Sequence, residues 1–177
     1  TNSRVFSTIL TWMQEKTKPV FVVATANDIS QLPPEFLRKG RFDEIFFVDL
    51  PTKEERKEIL RIHLTKNNQT GIHELDGLAD ATQLFNGAEI EEAVKESMFL
   101  AYVDNPTNPV VNVRHLEIAC SQIIPLAKTM SEKIRGLRGW ADDRARRASR
   151  IANKELLPEV QAGIKKTKRE KDEDTFG

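Results

Sequence analysis

The chain predicts an α/β protein whose strands lie in its first fifty residues and whose helices follow. Three observations carry this: the apolar run Val20-Phe21-Val22-Val23-Ala24, a second apolar run over 45–50, and helix-start signatures with helically spaced apolar residues beyond Pro51.

Taken in order, residues 1–16 read as a polar loop and then a helix with Phe6, Ile9, Leu10 and Met13 on one face. Residues 20–24 are continuously apolar rather than alternating and are bounded by Pro19 and by Asn27-Asp28, the pattern of a central parallel strand covered on both faces. Such strands carry their chemistry at their carboxyl ends, where Asn27 stands. Its amide accepts and donates at once and suits orienting a water against a phosphate; the alternative is a plain turn residue. Pro33-Pro34-Glu35-Phe36-Leu37 then reads as a short helix entered through proline and ended near Gly40. This places Arg38 and Arg41 on an exposed corner. A guanidinium stays charged and presents a planar fork of donors, so the pair can stabilise charge developing on a transferring phosphoryl group. Solvated surface arginines are the alternative. Residues 45–50 close the unit as a second strand.

Thr52-Lys53-Glu54-Glu55 is a capping box, in which threonine and the glutamate three residues on satisfy orphan amides at a helix start. The helix it opens carries Ile59, Ile62 and His63 along one side. Asn86-Gly87-Ala88-Glu89 opens another, apolar or small at Ile90, Ala93, Val94, Ser97, Met98 and Ala101, a spacing of i, i+3, i+4, i+7, i+8, i+11. His73-Glu74 invites a zinc-protease reading, but Gly77 stands where the second histidine is required.

The segment VFVVATANDISQLPPEFLRKGRFDEIFFVDLP resembles the second region of homology of the AAA+ ATPases, classical AAA clade. The resemblance implies that Asn27 is the sensor-1 residue and that Arg38 and Arg41, in LRKGRFD, are fingers inserted into a neighbouring protomer's site. Lys39 stands where many relatives have proline and is expected to be tolerated between the two arginines. In EILRIH, the resemblance assigns Ile59 and His63 to the adenine and ribose of a nucleotide. Gly87-Ala88 resembles the pair that replaces the sensor-2 arginine in this clade, its amides approaching a base or phosphate closely because glycine has no Cβ. On the residues alone, His63 as a packing residue and Gly87-Ala88 as the start of a capped core helix stay open. The resemblance covers roughly residues 4–124. Residues 125–149, with FSTILTWMQEKTKPVFVVATAND, also resemble a narrower AAA+ group of cyanobacteria and algal plastid genomes.

The implied fold is the C-terminal part of a RecA-like P-loop ATPase core over 1–51, a helical lid over 52–124, and a helical extension with a disordered charged end over 125–177. No G-x-x-x-x-G-K-[ST] loop and no apolar strand ending in Asp-Glu occurs. The chain is therefore expected to be the carboxyl portion of a longer AAA+ protein, beginning just after Walker B and inactive by itself. ATP and Mg2+ are expected as cofactors, bound mainly by the upstream portion, with no metal site in this chain.

Composition, 39% hydrophobic and 31% charged, fits a soluble intracellular protein, and the resemblance implies the cytoplasm or the plastid stroma. No apolar run approaches a membrane span. The single Cys120 cannot form an internal disulfide and reads as buried packing rather than a nucleophile. Charge is uneven, −5 over 1–127 and +5 over 128–177. The tail reads as a helix with Ile134, Leu137 and Trp140 on one side, followed by Arg144, Arg146, Arg147 and Arg150, which either touch nucleic acid or lie on a solvated or protein-docking helix. The family resemblance implies a homo-oligomeric ring, usually hexameric, that couples ATP turnover to remodelling of a protein partner. Two other classes stay open: a non-catalytic adaptor fragment, and a nucleic-acid-associated ATPase using the basic tail.

Overall fold

Amphipathic spacing and capping shape the helices of this chain, whose computed structural model describes residues 2–29, 32–38, 40–153 and 155–158. The expected tolerance of Lys39 and the expected disorder of the charged end beyond residue 158 lie outside the described residues. The chain divides into two units, one running to Asp49 and taking in Gly139–Arg150, the other formed by Leu50–Arg138 and the chain from Ile151.

In the first unit, α1 (Asn2–Glu15) turns Phe6, Leu10 and Met13 inward at i, i+4, i+7, while Ile9 is exposed. A 3-10 turn, Pro34–Leu37, buries Phe36. The Phe36 ring meets Phe6 nearly edge-on at 5.2 Å and stacks on Phe42 at 6.2 Å. Two expectations are corrected here. Residues 20–24 carry no ladder among the described residues, and Phe21 and Val23 are 93% and 75% exposed. A central strand exists only through its neighbours, and no described segment pairs with this one. The second strand is two residues long rather than six: β1 (Phe46–Phe47) runs parallel to β2 (Arg146–Arg147). The Arg146 amide donates to Ile45 O at 2.8 Å and the Ala148 amide to Phe47 O at 2.9 Å. A pair of arginines looks unlike a strand because the signal sought was apolar, whereas the ladder is made by backbone, and Glu44 and Asp49 flank β1 to meet the two charges.

The second unit is helical: α2 (Lys53–Lys66), α3 (Asp76–Ala81), α4 (Gly87–Asp104), α5 (Val113–Gln122), α6 (Leu126–Thr129), and the first half of α7 (Ser131–Arg144). The Thr52 hydroxyl accepts from the Glu55 amide while the Glu55 carboxylate accepts from the Thr52 amide, and Asn86 with Glu89 repeats this box at the start of α4. The buried row of α2 is Arg56, Leu60 and Leu64 at i, i+4, i+8. Ile59 and His63 flank it half-buried and Ile62 is exposed, so the inward side differs from the predicted one. Arg56 made this row look polar. Helix α4 buries Ile90, Ala93, Val94, Ser97 and Ala101, as its spacing predicts. Leu60, Leu64, Leu75, Leu78, Phe85, Ile90, Val94, Ala101, Val111 and Leu116 form one core. The small Ala93, Ala119 and Cys120 bring α4 and α5 together. Before α4, Leu84 adopts φ 68° with its side chain buried, a conformation that costs a non-glycine residue about 1 kcal/mol.

Candidate functional site

In the first unit, Asn27 is exposed at a bend that follows residues 20–26, which hold no regular secondary structure. Phe36 anchors the corner that carries the arginines: the 3-10 turn ends at Arg38, which is extended and exposed, and Gly40 then takes φ 90°, the left-handed region that glycine alone enters without strain. Arg41 follows, half-buried. With its amide oxygen turned toward the guanidinium, Gln14 of α1 accepts from both terminal nitrogens of Arg41, Nη1 at 2.8 Å.

In the second unit, Ile59 packs against the core and His63 lies one turn on along α2. His63 Nδ1 is buried and has no hydrogen-bond partner among the described residues. An orphaned ring nitrogen is uncommon in a folded interior and fits a group that receives a ligand. Helix α4, packed against α2, begins at Gly87 and Ala88. A Cβ added at Gly87 meets nothing within 4 Å, so the chain itself gives no packing reason for glycine there. Glu91, one turn further along α4, is held below the usual carboxylate range, chiefly by its hydrogen bond from Lys95, with smaller contributions from His63 and Lys66 of α2.

Asn27, Arg38 and Arg41 thus belong to one unit and Ile59, His63, Gly87 and Ala88 to the other. Among the described residues no group of three or more His, Cys, Asp or Glu side chains is placed to hold a metal ion. Two of the four tail arginines are engaged: Arg146 pairs with Glu44 at 3.5 Å, and Arg147 with Asp142 at 2.7 Å and Asp49 at 3.8 Å. Sequence reasoning missed three residues. Phe36 was read only as part of a helix, Gln14 carried no signal, and Arg56 was hidden because a charged residue in a buried row is rarely expected.

The family model for the ATPase family associated with various cellular activities (AAA) matches residues 1–50. An uncharacterized AAA domain-containing protein, ycf46, of Pyropia yezoensis is 49% identical over 155 residues, 84% of this chain and 30% of that protein. The cell division control protein 48 homolog B of Arabidopsis thaliana is 36% identical over 132 residues, 73% of this chain and 22% of that protein. A proteasome-activating nucleotidase of Sulfurisphaera tokodaii is 43% identical over 82 residues, 46% of this chain and 21% of that protein. The chain therefore spans less than a third of the length of these relatives. With the family model on its first fifty residues and AAA proteins matching most of its length, the chain belongs to the AAA family of ATPases.

Proposed function

We propose that this chain is the arginine-finger and lid portion of an ATP-hydrolysing AAA ring protein. The observation that carries the reading is the LRKGRFD corner, with Arg38 exposed beyond an anchored 3-10 turn inside the segment that the family model matches. Residues 1–51 are the carboxyl part of an α/β core, 52–124 are the lid, and an extension that begins with α6 and α7 follows.

Arg38 and Arg41 act in trans, their guanidinium donors meeting negative charge as the γ-phosphoryl group leaves a neighbouring protomer's ATP. Asn27, in cis, orients the attacking water or reads the γ-phosphate. Ile59 and His63 hold the adenine and ribose, and the amides of Gly87 and Ala88 lie open toward the nucleotide. Bound Mg2+ supplies charge neutralisation of the phosphates, through residues other than those described here. The ring is homo-oligomeric, usually hexameric, and its work is the remodelling of a protein partner, a reading supported by a relative that is by name proteasome-activating. No helix among the described residues is long and apolar enough to cross a membrane, and we place the protein in the cytoplasm or plastid stroma.

The test is Arg41→Ala in the full-length protein. ATP affinity stays within a few-fold while turnover falls by about 10³ to 10⁵, the range for arginine fingers. Unchanged turnover removes the assignment.

A further inference from the structure

The chain crosses between its two units at 49/50, 138/139 and 150/151, so Leu50 and Ile151 are the first residues of the second unit after two of the crossings. Residues 151–158, described apart from Lys154, fold back on the first of these. Asn153 Nδ2 donates to Leu50 O at 3.0 Å and to Pro51 O at 3.1 Å. Its Oδ1 accepts from the Glu155 amide at 2.8 Å, a local turn that aims the Glu155 carboxylate at Arg56. The Glu155 Oε1 to Arg56 Nη1 distance is 2.9 Å. Arg56, only 1% exposed, donates from that same nitrogen to Pro51 O at 3.0 Å and from Nε to Ala79 O at 3.1 Å. From α7, Arg138 donates to Glu155 O at 3.2 Å and Arg135 to Pro158 O at 3.3 Å.

The chemistry of this cluster is specific. Leu50 O and Pro51 O precede the cap residue Thr52 and so lie outside the helix ladder of α2, which leaves them to side chains or water. Two donors are committed to them, one an amide and one a buried cation. The buried cation in turn depends on Glu155, because a guanidinium removed from water needs a carboxylate to offset its desolvation.

We propose that residues 151–153 and 155–158 are a strap within the second unit that pins the Leu50 and Pro51 carbonyls at the entry to α2, and that release of the strap loosens this entry segment while the helical core stays intact. The proposal is independent of the nucleotide reading above.

The test is hydrogen exchange followed by mass spectrometry on the full-length protein and three variants. Asn153→Asp keeps the oxygen that accepts from Glu155 but turns an acceptor toward two carbonyls. Asn153→Ala removes both functions, and Glu155→Gln keeps size while removing the charge. Each is expected to speed exchange across residues 50–56 by about tenfold, the effect of losing one or two such bonds. Exchange within α4 is expected to stay unchanged. Wild-type exchange at 50–56 in Asn153→Asp overturns the proposal, and so does an equal acceleration in α4, which makes the segment a general stabiliser of the unit.

Discussion

Gly87 has an open side-chain position and a φ that other residues share, so nothing among the described residues requires a glycine there. In the proposed function, a ligand that needs the backbone bare supplies the reason. Gly87→Ala is expected to leave thermal stability within about 0.5 kcal/mol, as surface substitutions do, while weakening ATP binding in the full-length protein. Equal affinity for the two proteins, measured by titration calorimetry, removes Gly87 from the site. His63 is the complementary case, because its buried Nδ1 stands without a partner among the described residues. His63→Ala is expected to cost about tenfold in nucleotide affinity, one hydrogen bond's worth. Cys120 behaves otherwise. Burial between α4 and α5 pushes its thiol up to about 11, so it stays protonated at pH 8. Alkylation by iodoacetamide at that pH is expected to be at least about a hundredfold slower in the folded chain than in urea, since reaction needs both thiolate and access. Equal rates place the sulfur at the surface.

Three of the described helices, α2, α4 and α5, are held at their starts by capping boxes, at Thr52, Asn86 and Asn112. In the third, His115 Nδ1 accepts from the Asn112 amide, which leaves Nε2 to donate to Asp104 at 2.8 Å. Thr52→Ala is expected to lower stability by about 1 kcal/mol, the usual worth of such a cap, as read from urea denaturation. A change near zero makes the box incidental. Helix α4 and the capping box of α2 were readable in the sequence because both signals are local. The buried row of α2 was not, since Arg56 enters the core through contacts with Pro51, Ala79 and Glu155 that lie up to 99 positions away in sequence. Residues 20–24 show the opposite failure: their pattern records burial, and burial depends on neighbouring strands rather than on the segment itself. Arg146 and Arg147 form a strand through backbone pairing with β1, which an apolar-pattern search passes over. Of the seven candidate residues, Asn27, Arg38 and Arg41 were reached from strand end, corner and side-chain chemistry before the resemblance gave them roles, and Ile59, His63, Gly87 and Ala88 by the resemblance; the structure adds the Phe36 anchor, the Gln14 contact and the orphaned His63 nitrogen.

At the scale of the whole molecule, the reading assigns Asn27 and Arg41 to one ATP site but to different protomers. A ring of identical chains makes such a division possible, because every interface presents the same two faces. The claim can be tested without knowing the remodelled partner. Full-length Asn27→Ala and Arg41→Ala proteins are each expected to be nearly inactive, and their co-expression in mixed rings, confirmed by pull-down with distinct tags, allows some interfaces to combine an intact asparagine with a neighbour's intact arginine. Random mixing makes about a quarter of interfaces complete, so the ATPase rate is expected to recover to about a quarter of wild type. A mixed ring as inactive as either parent contradicts the account, because it means that the two residues serve the same protomer's site or none.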